Sequence, residues 1–489
     1  MVRAVPRDRV VAVAAVMGLV TVATVLHLWA GYTSPRPWPD ESHFIAPALS
    51  LVQGNGLDAP QLNAPDGIFW MPAGYYVAQA PLLLAGVEPL AAGRLLSLAG
   101  VIAFAVALAA TAARVGVPGP VAFAACGLWL CLPRVVTIAN IARMEGVILA
   151  IAGAAVWLVA RDRWLLAAAL AWVAPLIHPI GLVVSVAVMG AAVVRTGGPP
   201  ARRRDKIVAA VVAAAWLAQV AYFAANGEAT SAHLGFQLTR KADRAISPSM
   251  WHWMLLLGAG AAGAVATLRW RRGTRALRAI WLLLALVGGF VLVDVVGREM
   301  WYEFLGRETA VLLAFLATTA AVMRLVAAHQ PRHRDPSAPS GIRLFTMVAV
   351  VVLAIGTIVA ARQTFTAAWY GMRGQWSSHS EWRAFASTAV GELQGLDATD
   401  GPRETVVIDP LSGFGQEVFS RSWQRLEFVQ PTPATPLDAT SGDYVLATPG
   451  APFVTKNLVA QWGSPGPALE VSSPRGTYTM QLFRRPDGS

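Results

Sequence analysis

The chain is short of charge. Of its 489 residues only 14 % are Asp, Glu, Lys or Arg, against about 25 % in a soluble globular protein, which argues against both a soluble enzyme and a disordered chain. Cysteine is nearly absent. The two present, Cys126 and Cys131, lie in one apolar run on different sides of a helix, so no disulfide framework or cysteine metal site is indicated. No internal repeat is evident, which weakens a transporter built from repeated halves. What the chain has is apolar surface, 55 % hydrophobic residues, and a net charge of +11. The surplus is uneven: residues 1–361 carry 29 basic and 16 acidic side chains, residues 362–489 carry 10 and 12. The basic residues sit in short clusters between apolar runs, so nucleic acid is a poor explanation for them.

A bilayer core of roughly 30 Å takes about 20 apolar residues as a helix. Suitable runs occur at about 10–32, 92–113, 120–136, 145–160, 206–225, 251–268, 276–297, 307–326 and 343–361. The stretch 164–195 is too long for one span and is broken by Pro175 and His178-Pro179, which fits two short helices turning near His178. Eleven spans are therefore expected. With the N-terminus in the cytoplasm, inside segments collect twenty Lys/Arg and outside segments nine, as the positive-inside rule requires. The expectation is a multi-pass plasma (inner) membrane protein whose residues 362–489 are extracytoplasmic. The first outer loop, 33–91, carries amphipathic pieces at about 41–54 and 69–86 that suit the interface plane. A second outer segment, 226–250, holds Arg240 and Lys241.

Beyond about residue 375 the pattern changes. Residues 380–396 have helical spacing, and short apolar runs follow at 405–408, 444–447, 469–471 and 478–483, separated by Gly, Pro and Asp. This predicts a small α/β or α+β domain, with no metal, phosphate or nucleophile motif. The fold class is thus an α-helical polytopic membrane protein, 1–361, with a soluble α/β domain, 362–489.

The residues able to do chemistry gather at the outer ends of the spans. Asp40-Glu41, within Trp38-Pro39-Asp40-Glu41-Ser42-His43, are adjacent carboxylates that repel each other and lose hydration at a membrane surface. They read as a general base with a neighbour orienting substrate or metal; the bland alternative is a helix start capped by Asp40. Arg143-Met144-Glu145 offers two charges that are not helix-face neighbours and can serve separate partners. Arg298, Tyr302 and Arg307 fall between two spans, and an arginine fork suits phosphate. His178 stands at the hairpin, where a satisfied core residue is the commoner role. A base, a second carboxylate and a phosphate clamp on one side of the membrane suit attack on a phosphate-linked carbon.

Several pieces resemble the GT-C superfamily of integral membrane glycosyltransferases, in particular its protein mannosyltransferase and lipid A aminoarabinose transferase branch. They are Asp40-Glu41 after the first span, Ala48-Leu49-Ser50-Leu51 with the Gly54 turn, Pro72-Ala73-Gly74-Tyr75-Tyr76, Gly93-Arg94-Leu95-Leu96-Ser97, and Ala142-Arg143-Met144-Glu145-Gly146. The resemblance implies a polyprenyl-phosphate monosaccharide donor and extracytoplasmic transfer to a glycan, lipid or protein acceptor, with inversion and without a nucleotide cofactor. It makes Asp40 the base, with Glu41 beside it. Arg143, Arg298, Arg307 and Lys241 would hold the phosphate, and His43, Glu145, His178 and Tyr302 would line the substrate cavity. A divalent cation, if one takes part, would fall to Asp40 and Glu145. The second acidic position, often Asp in relatives, is Glu here. The competing expectations are a lipid or glycan transporter, which would need ionisable residues near the bilayer midplane, and a non-catalytic assembly factor acting through residues 375–489.

Overall fold

The computed structural model describes residues 40–62, 71–192, 202–242, 248–269, 275–297, 300–329, 341–373, 379–408, 414–431, 442–447, 468–473 and 476–485, and, of the first apolar run, residues 18, 21 and 24–27. The helices begin with α1 (Glu41–Val52), α2 (Gly74–Leu84), α3 (Pro89–Val115), α4 (Gly119–Leu130), α5 (Pro133–Ala139) and α6 (Glu145–Val159). Next come α7 (Trp164–Ala171), α8 (Ala174–Ile177), α9 (Leu182–Ala192), α10 (Arg203–Ala225), α11 (Gly227–Ala242), α12 (Met250–Arg269) and α13 (Arg275–Gly297). A short α14 (Met300–Phe304) runs through a π turn into α15 (Ala310–His329), and α16 (Gly341–Arg373) leads to α17 (His379–Asp397).

Local signals explain the best-defined helix. Glu88 accepts hydrogen bonds from the Leu90 and Ala91 amides, Pro89 opens α3, and Gly116 closes it at φ 114°. A proline at the first position and a left-handed glycine at the end are the expected asymmetry. At 27 residues, α3 is about 40 Å long, enough to cross a bilayer.

Among the described residues four helical stretches are long and apolar enough to cross a membrane: Pro89–Val115, Arg203–Ala225, Ala276–Gly297 and Tyr302–Val326. The expected span 120–136 is α4 plus α5, bent by 70°, because Leu132, preceding Pro133, is held extended. The stretch 164–195 is broken after Ala171 and at His178 into α7, α8 and α9, as its prolines require. The run 10–32 lies mostly outside the described residues. However, His27 is buried, with Nε2 3.0 Å from the Leu130 carbonyl and Nδ1 3.1 Å from the Asn140 amide.

Two expectations change. The piece 41–54 has no open face over its first ten residues: α1 is buried from Glu41 through Ser50. The segment 226–250 is largely helix α11 rather than loop. Both cysteines are free and buried.

Two close approaches fix α3 against α6. A Cβ on Gly100 would stand 2.3 Å from the Gly146 carbonyl oxygen, and one on Gly146 would stand 2.3 Å from the Ser97 carbonyl oxygen. Only glycine lets the backbones touch, and this contact sets the loop before α6 over α3.

The C-terminal strands are β1 (Glu404–Ile408), β2 (Leu426–Val429), β3 (Tyr444–Ala447), β4 (Ala468–Ser473) and β5 (Gly476–Arg484), with α18 (Gly415–Phe419) between β1 and β2. They form one sheet in the order β2-β1-β3-β5-β4. β1 is parallel to β2 and β3, while β5 is antiparallel to β3 and β4. Four of these strands and α17 match the predicted runs. β2 and α18 were not anticipated, β2 because Glu427 interrupts the apolar run Leu-Glu-Phe-Val. The edge strand β2 faces the membrane part: just past it, the Gln430 amide donates to the Gln61 carbonyl at 2.7 Å.

Candidate active site

Asp40 is the residue before α1, yet its side chain makes no capping hydrogen bond. The carboxylate turns to Arg143, whose Nη1 stands 3.5 Å from Oδ2, and 43 % of the Asp40 side chain stays exposed. Glu41, next in sequence, is fully buried. The Arg94 Nε and Nη2 donate to its two oxygens at 2.9 and 2.8 Å, and the Ala142 amide donates to Oε1 at 2.6 Å. Arg94 comes from the second turn of the apolar α3, where an arginine must find a partner.

Arg143 is buried and shared between carboxylates. Its Nη2 lies 2.8 Å from Glu145 Oε1, and its Nε lies 3.2 Å from each Glu145 oxygen. The loop that carries it is pinned to α3: the Arg143 amide donates to Ser97 Oγ at 3.0 Å, and that hydroxyl donates to the Arg143 carbonyl at 2.5 Å. The guanidinium also lies 5.4 Å from the centre of the Phe44 ring, a cation–π distance. Phe44 meets Tyr75 edge-on at 6.2 Å, and Gln79 of α2 donates to the Phe44 carbonyl at 2.9 Å. Arg94 and Ser97, one turn apart on α3, thus hold two loops in register.

His43 is buried on α1, with Nε2 3.3 Å from Gln430 Nε2. Burial lowers its pKa below the usual imidazole value, although the Asp40 carboxylate opposes this. His178 and Tyr302 stand within electrostatic range of the cluster, His178 of Glu145 and Tyr302 of Arg143. His178 Nδ1 accepts from the Ile180 amide at 3.2 Å, and Tyr302 is buried.

Of the residues nominated from the sequence, Asp40, Glu41, His43, Arg143 and Glu145 are therefore brought together, with His178 and Tyr302 nearby. Arg307 belongs to a second network: its Nη1 is 3.6 Å from Glu303, which Arg134 also binds at 2.5 Å, and its guanidinium lies 5.4 Å from the Trp251 ring. Arg298 and the side chain of Lys241 lie outside the described residues. Sequence reasoning passed over Arg94, Ser97 and Gln430 as site residues. A charge inside a 27-residue apolar helix is the signal that would have found Arg94. Gln430 has no such signal.

Asp40 and Glu145 share the Arg143 guanidinium. Among the described residues no three His, Cys, Asp or Glu side chains converge as metal ligands, and the Arg143 guanidinium occupies the ground between Asp40 and Glu145. A fixed organic cation therefore stands where a metal shared by those two residues would sit.

Neither a protein family nor a curated protein sequence matches the chain. Solved structures are similar to it in fold. ArnT from Cupriavidus metallidurans bound to undecaprenyl phosphate gives a TM-score of 0.58 at 15 % identity, over 96 % of this chain and 97 % of that one. The apo state of the same protein gives 0.54 at 14 % identity, over 96 % and 98 %. At that identity the likeness shows a shared fold, that of a polytopic α-helical membrane protein.

Proposed function

We propose that the chain is a GT-C-type glycosyltransferase that moves a monosaccharide from a polyprenyl-phosphate donor to an acceptor hydroxyl on the extracytoplasmic face. The observation that carries the reading is the unequal treatment of three clustered acids. Glu41 and Glu145 have their oxygens taken up by arginines, whereas Asp40 is part-exposed, does not cap its helix, and meets Arg143 only at 3.5 Å. Asp40 is thus the carboxylate with room to accept a proton. The likeness in fold to ArnT, a protein crystallised with undecaprenyl phosphate, supports a lipid-phosphate donor.

In this mechanism the acceptor oxygen gives its proton to Asp40 and bonds to the anomeric carbon. The bond from that carbon to the donor phosphate oxygen breaks, the electron pair leaves with the polyprenyl phosphate, and the configuration inverts. Arg143 faces the growing negative charge as a pre-positioned cation, and Arg298, Lys241 and Arg307 are proposed as further contacts to the phosphate. Glu41 and Glu145 hold Arg94 and Arg143 in place and are positioning residues. His43, His178 and Tyr302 are the proposed substrate contacts. No step is routed through a metal. The same reading takes eleven spans with the N-terminus cytoplasmic, a membrane domain over 1–361, and an extracytoplasmic domain over 362–489.

The test is incubation of the purified protein with radiolabelled polyprenyl-phosphate sugars, with and without chelator, beside Asp40→Asn. The variant should stay monodisperse and lose about 10²–10⁴-fold in turnover, the range for a positioned base. Full turnover by a folded Asp40→Asn protein removes the main support. Accumulation of lipid-linked sugar in sealed vesicles with no sugar transferred would favour a transporter.

A further inference from the structure

A cavity of about 280 Å³ lies between the segment that follows α1 and the β2 edge of the sheet. It is just below the roughly 300–1,000 Å³ usual for small-molecule sites. Gln53 and Gln61 are on one wall, and Arg403, Phe419, Arg421 and Trp423 on the other. None of the Asp40 cluster lines it, so it is a separate site.

Its lining has a definite chemistry. Trp423 is half-buried and fixed on two sides: its ring lies tilted by 53° against Phe428 at 4.6 Å between centres, and its Nε1 donates to the Val418 carbonyl at 2.9 Å. Gln61 has a buried Oε1 with no hydrogen-bond partner, an acceptor that a ligand hydroxyl would satisfy. Three arginines line the cavity. Arg425 is neutralised by Glu404 at 2.8 Å, whereas Arg403 and Arg421 are exposed, and Arg421 donates its Nε inward, to the Glu417 carbonyl at 2.7 Å. Glu427 is the single acid among the described lining residues. A rigid aromatic face suits the C–H face of a pyranose, an unfilled amide acceptor suits its hydroxyls, and a pair of guanidinium groups suits a carboxylate or phosphate.

We propose that this cavity binds an acidic saccharide, and, resting on the glycosyltransferase reading above, that it is a remote subsite for the acceptor glycan. Gln53 lies roughly 18 Å along α1 from Glu41 at the usual helical rise, so the sugar held here is not the one that reacts. The acceptor is an extended oligosaccharide that reaches from the sheet edge to Asp40. Gln430 links the two places, with Nε2 3.3 Å from His43 and its amide bonded to the Gln61 carbonyl.

The test is binding of defined probes to the full-length protein in detergent, measured by titration calorimetry: an oligogalacturonate, a neutral malto-oligosaccharide, inorganic phosphate, and phosphatidylglycerol vesicles. Oligogalacturonate should bind most tightly. Trp423→Ala and Arg421→Ala should each weaken it about tenfold or more, Trp423→Phe should retain most of it, and Gly190→Ala, which meets open space away from both sites, should leave it unchanged. Arg421 is on the surface, so its variant folds even if Trp423→Ala does not. Binding of no saccharide, or binding that ignores both Trp423→Ala and Arg421→Ala, overturns the proposal. So does a preference for phosphate alone or for vesicles. Failure here with sugar transfer intact leaves the glycosyltransferase reading standing. Saccharide binding with no transfer from any donor would refute that reading instead.

Discussion

Replacing Arg94 with Met would separate the roles of the two adjacent acids. Glu41 is fully buried and Arg94 is 12 % exposed, so the substitution strands a carboxylate away from water. Removing one partner of a buried ion pair costs about 3–5 kcal/mol, and the slight exposure of Arg94 points to the lower end, about 3 kcal/mol. The remaining donor, the Ala142 amide at 2.6 Å, returns part of that through a charge-assisted bond. Glu41 adjoins Asp40, and a shift of about 1 Å at a reacting group costs on the order of 10²-fold in rate, so kcat/KM should fall by about that factor.

The double variant Glu41→Leu/Arg94→Met removes both charges. An apolar pair of similar volume is often neutral or stabilising, while the Ala142 amide left unpaired costs about 1–3 kcal/mol. Stability should therefore recover most of the single-variant loss, and kcat/KM should recover with it. Denaturation in detergent and single-turnover sugar transfer measure the two quantities on the same four proteins of the cycle. If the double variant regains stability but stays as inactive as Asp40→Asn, Glu41 takes part in the chemistry and the positioning role assigned to it is wrong.

Other outcomes follow from the same geometry. Arg143→Lys replaces a fork that faces both Asp40 and Glu145 with a point charge; sugar-transfer kinetics should show a kcat drop of about 10²-fold with KM for the acceptor little changed. Gly146→Ala drives a methyl toward the Ser97 carbonyl and should cost about 1–3 kcal/mol as overpacking, read as lowered melting temperature, whereas Gly190→Ala, which meets open space, should not. His43 has a lowered pKa from burial, so below its ordinary value near 6.5 the unfolded chain binds a proton that the folded chain does not. Stability should therefore fall as pH drops from about 6.5 toward the folded pKa, and His43→Gln should flatten that part of the melting-temperature profile.

Hydropathy and punctuation made much of the architecture readable. A helix needs only its own apolar length and its end signals, so Glu88-Pro89 and Gly116 delimit α3, and Pro133, Pro175 and Pro179 mark breaks that the backbone makes. The Asp40-Glu41 doublet and Arg143-Glu145 stood out for a related reason: charges in a chain this apolar are costly and few. Sequence distance hid what those charges do to each other. Glu41 and Ala142 are 101 residues apart, and His43 and Gln430 are 387 apart. That Asp40 keeps its freedom while Glu41 loses it depends on Arg94 and the Ala142 amide arriving from other elements, and nothing in two neighbouring acidic letters distinguishes them. The cavity at the β2 edge was invisible for the same reason. Its walls come from residues 53–61 and 403–428, and the apolar run of β2 is interrupted by Glu427, so it does not announce itself before the sheet and the outer loop close around it.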